Sequence, residues 1–336
     1  MATQRDLELI QASASGDVER MRTLFGRGAK VNARLKNGTT PLVAAAVAGR
    51  LEAVRLLLVQ GADVKTRFKD DATVLILAAT QGQAPVVSLL LKKGASASER
   101  TRGGVTALIA AAIEGHSETV EALLAAGAEA DAPDARGVTP LIGAALNGHM
   151  QSVCALLAQH ASVNHASGSG MTALAGAIGS GNPAVVWVLL EHGADPDGVD
   201  EQRRPVLVTA AAFGKTEIAG FLLDRGAKIE AVDPAGTSAL LAAAVGGHLD
   251  TVRLLLDRGA NPNIAGHAGV TPLIAAVVQN HREVVEILLQ RGADRDLRTE
   301  AGVSALEAAQ AGGRTEMVEL VGGTPGDSAQ QRESNS

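Results

Sequence analysis

A leucine returns every 33 residues without a slip: Leu9, Leu42, Leu75, Leu108, Leu141, Leu174, Leu207, Leu240, Leu273 and Leu306. Two further residue sets keep the same interval. Glycine stands at 16, 49, 82, 115, 148, 181, 214, 247 and 313, with Asn280 in the one gap. A Gly-Ala pair begins at 28, 61, 94, 127, 193, 226, 259 and 292, broken only by His160-Ala161. A fixed period of this length marks stacked repeats, each burying its apolar surface against its neighbours. The 336-residue chain is therefore not read as two globular domains, which length alone would suggest. Composition agrees. Hydrophobic residues make up 46% of the chain, yet aromatics only 1%, with no Tyr and a single Trp. Such an interior is filled with Ala, Leu and Val, which suits thin layers of closely packed helices rather than a ring-rich core.

One unit shows the local logic. In 137–163, Thr139 is placed to N-cap a helix and Pro140 suits its first turn, where a missing N–H costs nothing. Leu141, Ala144 and Ala145 share a helical face, and Gly148 ends the helix by tolerating a left-handed conformation. Val153, Leu156 and Leu157 carry the i, i+3, i+4 signature of a second helix. The polar, small-residue segment from 160 to Gly170 reads as a turn or hairpin. Each unit is thus helix, turn, helix, hairpin loop.

These units resemble the ankyrin repeat, on the strings GTTPLVAAA at 38–46, GVTALIAAA at 104–112, GVTPLIGAA at 137–145 and GVTPLIAAV at 269–277. The second-helix strings VRLLLVQGADV at 54–64 and VRLLLDRGANPN at 252–263 match as well, and the TPLI and TALI variants are similar to bacterial ankyrin proteins. The resemblance covers 5–321 and implies an all-α solenoid with short β-hairpin loops, built from ten 33-residue units. Residues 1–37 are expected to form an N-terminal capping repeat, 38–301 eight interior repeats, 302–321 a C-terminal capping repeat, and 322–336 a disordered tail. In one respect the chain departs throughout. The family's first helix commonly reads TPLH, but the histidine position holds Val43, Ile76, Ile109, Ile142, Ala175, Val208, Leu241, Ile274 and Glu307. Packing is expected to stand where a polar network would.

Little points to catalysis. No nucleophile motif, phosphate loop or HExxH is present, and neither a metal nor a cofactor site is expected. His116, His149, His248 and His281 share one register at the start of second helices, which argues a structural role, since metal ligands must converge on one point. Cys154 is the only cysteine, which fits a reducing compartment, so a cytoplasmic location is expected, or a periplasmic or secreted one had a signal peptide been removed. No apolar run is long enough for a membrane span. A net charge of −6 disfavours nucleic acid.

The resemblance implies binding of a protein or peptide on the concave face, made of hairpin tips and the exposed sides of first helices. Early tips are basic, with Arg34, Lys36, Lys65, Arg67, Lys69, Arg100, Arg102 and Arg136; later tips carry Asp195, Asp197, Asp200, Glu201, Glu230 and Asp233. Residues 1–136 hold 17 Lys and Arg against 15 Asp and Glu, whereas the rest holds 13 against 21. The basic row reads either as a contact for an acidic segment or as a solvated, salt-screened edge. Beside it runs an apolar register, including Val47, Ile113, Leu146, Val245 and Val278, with Phe213 one residue on. It reads either as a binding stripe or as side chains covered by the next repeat. Trp187, at a second-helix position expected to be exposed, raises the alternative of a self-assembling protein using convex or end-to-end contacts. A monomer is the favoured expectation.

Overall fold

The computed structural model describes residues 3–322. The tail expected to be disordered lies outside the described residues, Gly322 excepted. Among the described residues, twenty α-helices form ten consecutive pairs. The chain divides into two compact units, Met1–Gly193 with six pairs and Ala194–Ser336 with four.

The first helices are short. Pro41–Val47, Ala107–Ile113 and Pro140–Leu146 have seven residues each, too few for an isolated helix to hold in water. Two things hold them. The first is a side-chain cap: Thr40, Thr73, Thr106, Thr139, Thr172, Ser238, Thr271 and Ser304 each accept the N–H of the residue three on, a bond that contributes about 1 kcal/mol per helix. Pro205 breaks the pattern and has no hydroxyl to offer. There the Val206 N–H turns to the Gly198 carbonyl at 2.9 Å. The second support is burial. The period-33 leucines from Leu9 to Leu273 are all buried, and Leu306 in the last pair is half-buried. Val43, Ile76, Ile109, Ile142, Val208, Leu241 and Ile274, which stand at the family's histidine position, are buried too.

The glycine register ends the first helices in the left-handed region, as at Gly115 (φ 76°). Asn280 and His160, which fill the gaps in the two glycine rulers, adopt the same conformation with φ of 62° and 58°. Both are residue types that visit it more readily than most.

The expected hairpins are tighter than strands. In each loop one residue donates its N–H to the carbonyl four residues on, as Thr101 does to Val105 at 3.0 Å and Asp134 to Val138 at 2.9 Å. Single antiparallel bridges form at five loops, including Arg67 with Thr73 and Val232 with Ser238. Successive hairpins are also joined: Arg102 N–H to Asp70 O (2.9 Å), Ala135 to Gly103 (2.9 Å) and Gly168 to Arg136 (2.8 Å). In the second unit Glu300 bonds Ala268 in the same way at 2.9 Å. Pro234, at the donor position of an earlier hairpin, has no N–H to give.

Two buried hydroxyls, Thr119 Oγ1 and Ser152 Oγ, lie 33 positions apart in neighbouring second helices and have no hydrogen-bond partner. A buried donor without a partner carries its full desolvation cost, about 1–3 kcal/mol. Thr119→Val and Ser152→Ala are therefore each expected to raise the urea midpoint of unfolding, by about 1 kcal/mol of stability at an unchanged m-value. A lowered midpoint would show that the hydroxyls have partners in solution.

Candidate functional site

The hairpin arginines are positioned by the period itself. Arg34, Arg67 and Arg100 occupy one register, so each faces the hairpin of the next repeat. Arg34 Nη2 donates to the Arg67 carbonyl at 2.6 Å. Arg100 Nη1 donates to the Pro133 carbonyl and, at 3.3 Å, to Gly104. Arg67 donates to the Asp71 carbonyl at 3.0 Å and forms an ion pair with Glu99. These three guanidinium groups tie the array together. Arg102 Nε meets Asp71 Oδ2 at 3.1 Å. Arg136 meets Asp134 Oδ2 at 3.2 Å. Asp134 is itself buried and also accepts the N–H groups of Arg136 and Val138.

Lys36 and Lys69 differ. Both are exposed, and neither ammonium makes a hydrogen bond or ion pair with the described residues. The row of eight basic tip residues thus resolves into five arginines with partners in the fold and three lysines whose ammonium groups have none among the described residues, Lys36 and Lys69 in one register and Lys65 beside them. Their uncommitted positive charge is the part of the row available to a ligand.

The first-helix register is graded by its neighbours. Ile113 is half-buried because the next repeat has Gly143 beneath it, where a Cβ would stand 2.7 Å from Ile113 Cγ1. Gly176 lies against the Leu146 backbone in the same manner, with a Cβ position 3.3 Å from Leu146 Cα. The Leu146 side chain nevertheless stays 41% exposed. Val47 is half-buried. In the second unit Phe213, which caps the helix Val206–Ala212, is 58% exposed, and Val245 and Val278 are exposed as well.

The four register-sharing histidines are stitches between repeats. Nε2 of His116, His149, His248 and His281 lies 2.9–3.0 Å from the carbonyls of Thr80, Ile113, Ala212 and Val245. Each acceptor belongs to the preceding first helix. Each ring covers a glycine of the preceding repeat, and a Cβ on Gly115 would stand 2.5 Å from His149 Nδ1. The glycine period thus serves ring packing as well as helix termination.

A second set of cross-repeat bonds was not signalled by composition. Asn32 Oδ1 accepts the Asp63 N–H (2.9 Å), Asp131 the Ser162 N–H (2.8 Å), Asp197 the Lys228 N–H (2.8 Å) and Asn263 the Asp294 N–H (2.7 Å). The signal present in the chain was a polar residue recurring at the 33-residue interval, but it reads as ordinary loop polarity.

Asp200 and Asp197 in the later tips therefore do structural work. Burial pushes the Asp200 carboxyl up, but the N–H of Arg204, the Thr209 hydroxyl at 2.8 Å and the Arg204 guanidinium outweigh it, so its pKa falls below the usual value. The Lys228 N–H and ammonium hold Asp197 down as well. A depressed carboxylate stabilises the fold above its unfolded pKa, about 4, and that contribution is lost as pH falls through the folded value. The wild-type second unit is thus expected to lose stability steadily below about pH 4. Asp200→Asn should lower stability at pH 7 and flatten this acid limb, as read from urea unfolding at several pH values. An unchanged acid limb would remove Asp200 from the account.

On the second helices, Trp187 is 47% exposed, and Cys154 is exposed with its Sγ 3.8 Å from Met150 Sδ. Among the described residues no group of three or more potential ligands could hold a metal ion, and no helix is long and apolar enough to cross a membrane.

No curated protein matches the chain. A family model described as ankyrin repeats, in three copies, matches residues 9–101, 58–134, 108–200, 141–233, 207–299 and 240–325. Several of these windows start at 33-residue multiples of one another, the interval that the leucines keep. Helix pairs, tight loops and matched windows agree along nearly the whole length, and the chain belongs to the ankyrin-repeat family.

Proposed function

We propose that the chain is a non-enzymatic protein-binding module of the cytoplasm. In the first unit a protein or peptide with an acidic segment docks on the concave face of hairpin tips and first helices. Ankyrin repeats generally serve as protein–protein interaction modules, and the family is generally non-enzymatic. The observation that carries the finer reading is the pair Lys36 and Lys69, exposed and unpartnered in consecutive repeats. Arg34, Arg67, Arg100 and Arg102 hold successive hairpins in register, Arg136 pairs within its own hairpin, and all five add positive potential along the same edge. Ile113 and Leu146 supply apolar contact beside them, and Phe213 is a partner contact of the second unit by itself. Residues 1–37 and 302–321 act as capping repeats in this reading, and the first helix of each opens on a capping box, Thr3/Asp6 and Ser304/Glu307. At the latter, Arg298 and the Ser304 N–H hold the Glu307 carboxyl down to a pKa of about 2. The chain works as a monomer.

The test is selection of a displayed peptide library on the immobilised chain. Wild type should enrich sequences in which Asp or Glu flank apolar residues. Lys36→Glu with Lys69→Glu should abolish that enrichment while the far-ultraviolet circular dichroism stays unchanged. The same enrichment on both chains would sink the reading.

A further inference from the structure

Six of the nine large hydrophobic side chains exposed among the described residues belong to the second unit. Their placement is ordered. Phe213, Val245 and Val278 stand at the ends of three consecutive first helices, Val206–Ala212, Ala239–Gly246 and Pro272–Val278. Val199 and Val232 stand in two consecutive hairpins, each at the loop's antiparallel bridge. Their register is the one that the first unit gives to Arg34, Arg67 and Arg100. Arg298 shares it, and its Nη1 reaches the Glu307 carboxylate on the first helix Ala305–Ala311 at 2.7 Å and 2.9 Å. Val199 bridges to Pro205 and Val232 to Ser238, the residues that precede the helices Val206–Ala212 and Ala239–Gly246, so the two valines stand at the starts of the first helices whose ends carry Phe213 and Val245. A valine there makes no cross-repeat hydrogen bond of the kind an arginine makes, and Val199 and Val232 stay 39% and 48% exposed.

Charge says what kind of occupant fits. Hairpin segments 194–204 and 228–237 carry six carboxylates, Asp195, Asp197, Asp200, Glu201, Glu230 and Asp233, against Arg203, Arg204 and Lys228. Two of these cations already face partners, Arg204 on Asp200 at 2.8 Å and Lys228 on Asp197 at 3.1 Å. The edge thus keeps a net negative charge around an apolar surface. Such a surface repels phosphate-bearing polymers and anionic bilayers and attracts cations. Apolar side chains in a polypeptide can bury Phe213 and the valines while flanking Lys or Arg meet the carboxylates.

We infer that this face of the second unit docks a basic polypeptide segment with apolar anchors. The inference rests on the protein-binding reading above, but places a second site on the other unit with the opposite charge preference.

The test uses the full chain and fluorescein-labelled synthetic peptides read by anisotropy. One peptide alternates leucine and lysine. A second replaces lysine with glutamate, and a third replaces leucine with serine. The Leu/Lys peptide should bind at least about ten-fold tighter to wild type than to Phe213→Ser/Val232→Ser/Val245→Ser, a loss of the size set by removing central anchors. It should also outbind the serine peptide, weaken with added salt, and weaken with Glu201→Lys. Circular dichroism should be the same for all chains. Equal binding of the Leu/Lys peptide to wild type and the triple variant overturns the inference, as does tighter binding of phosphatidylserine vesicles than of that peptide. Lys36→Glu/Lys69→Glu should leave Leu/Lys binding unchanged. Failure of the first-unit reading would show separately, as a Leu/Glu peptide indifferent to that double variant.

Discussion

Gly104→Ala is expected to lower the stability of the first unit by about 3 kcal/mol. Gly104 has φ of 77°, where an L-residue costs about 1–2 kcal/mol. Its missing Cβ matters more. A Cβ there would stand 2.6 Å from the Ala135 nitrogen and 3.0 Å from the Asp134 carbonyl carbon. Both are backbone atoms of the next hairpin and cannot rotate aside. Relief requires the hairpins to part, which opens the 2.9 Å bond from Ala135 N–H to the Gly103 carbonyl. Gly94 provides the control. Its φ is 89°, yet nothing lies within 4 Å of a Cβ there, so Gly94→Ala should cost only the conformational part. Urea unfolding of the two variants separates the contact from the conformation. Hydrogen exchange should rise at the amides of 103–105 and 134–136 in Gly104→Ala alone. Equal losses in both variants would mean that the contact between hairpins carries no stability.

Ile142→His should cost about 3 kcal/mol, although it restores the residue that the family commonly carries there. Ile142 is 1% exposed, and its N–H is already taken by Thr139 Oγ1 at 3.3 Å. The flanking repeats have Ile109 and Ala175 at the equivalent place, neither of which can share an imidazole hydrogen bond. The substitution therefore removes buried aliphatic surface and adds a polar ring without a partner. Ile142→Val, which removes one methylene, should cost about 1 kcal/mol. If the histidine variant proves no worse than the valine variant, the polar network has survived elsewhere in these helices. His116, His149, His248 and His281 work at a different place, the start of second helices, where the Ile113 carbonyl gives His149 an acceptor at 2.9 Å.

Features that rest on single residues were readable directly. A threonine before a first helix caps it because the hydroxyl reaches three residues along the same chain. A glycine, or Asn280 in its stead, ends a helix because the requirement is a local backbone angle. The 33-residue interval then implies the helix pairs and the buried leucine column, since short helices must stack to hide their apolar faces.

The candidate site was less legible. Arg34 and Lys36 look alike in a list of charges, but Arg34 is bonded to a carbonyl 33 residues away and Lys36 is open. Ile113 and Leu146 share a register, yet the first is half-buried and the second exposed. The following repeat brings a glycine against each, but Gly143 lies against the Ile113 side chain and Gly176 against the Leu146 Cα, Cβ and nitrogen, which leaves the rest of the leucine side chain open. Asp200 read as one more acid in an exposed row, but it is buried and holds a loop whose first helix lost its capping hydroxyl to Pro205.

By itself, then, the sequence determined the repeat, its period, its caps and the family, because each depends on residue types acting within a few positions of themselves. Only the tertiary structure decided which charges are open, which apolar side chains are covered, and where the array divides into two units at Gly193 and Ala194. Those are matters of contact between repeats, and the partner of any given side chain stands about one period away, where no local pattern reaches.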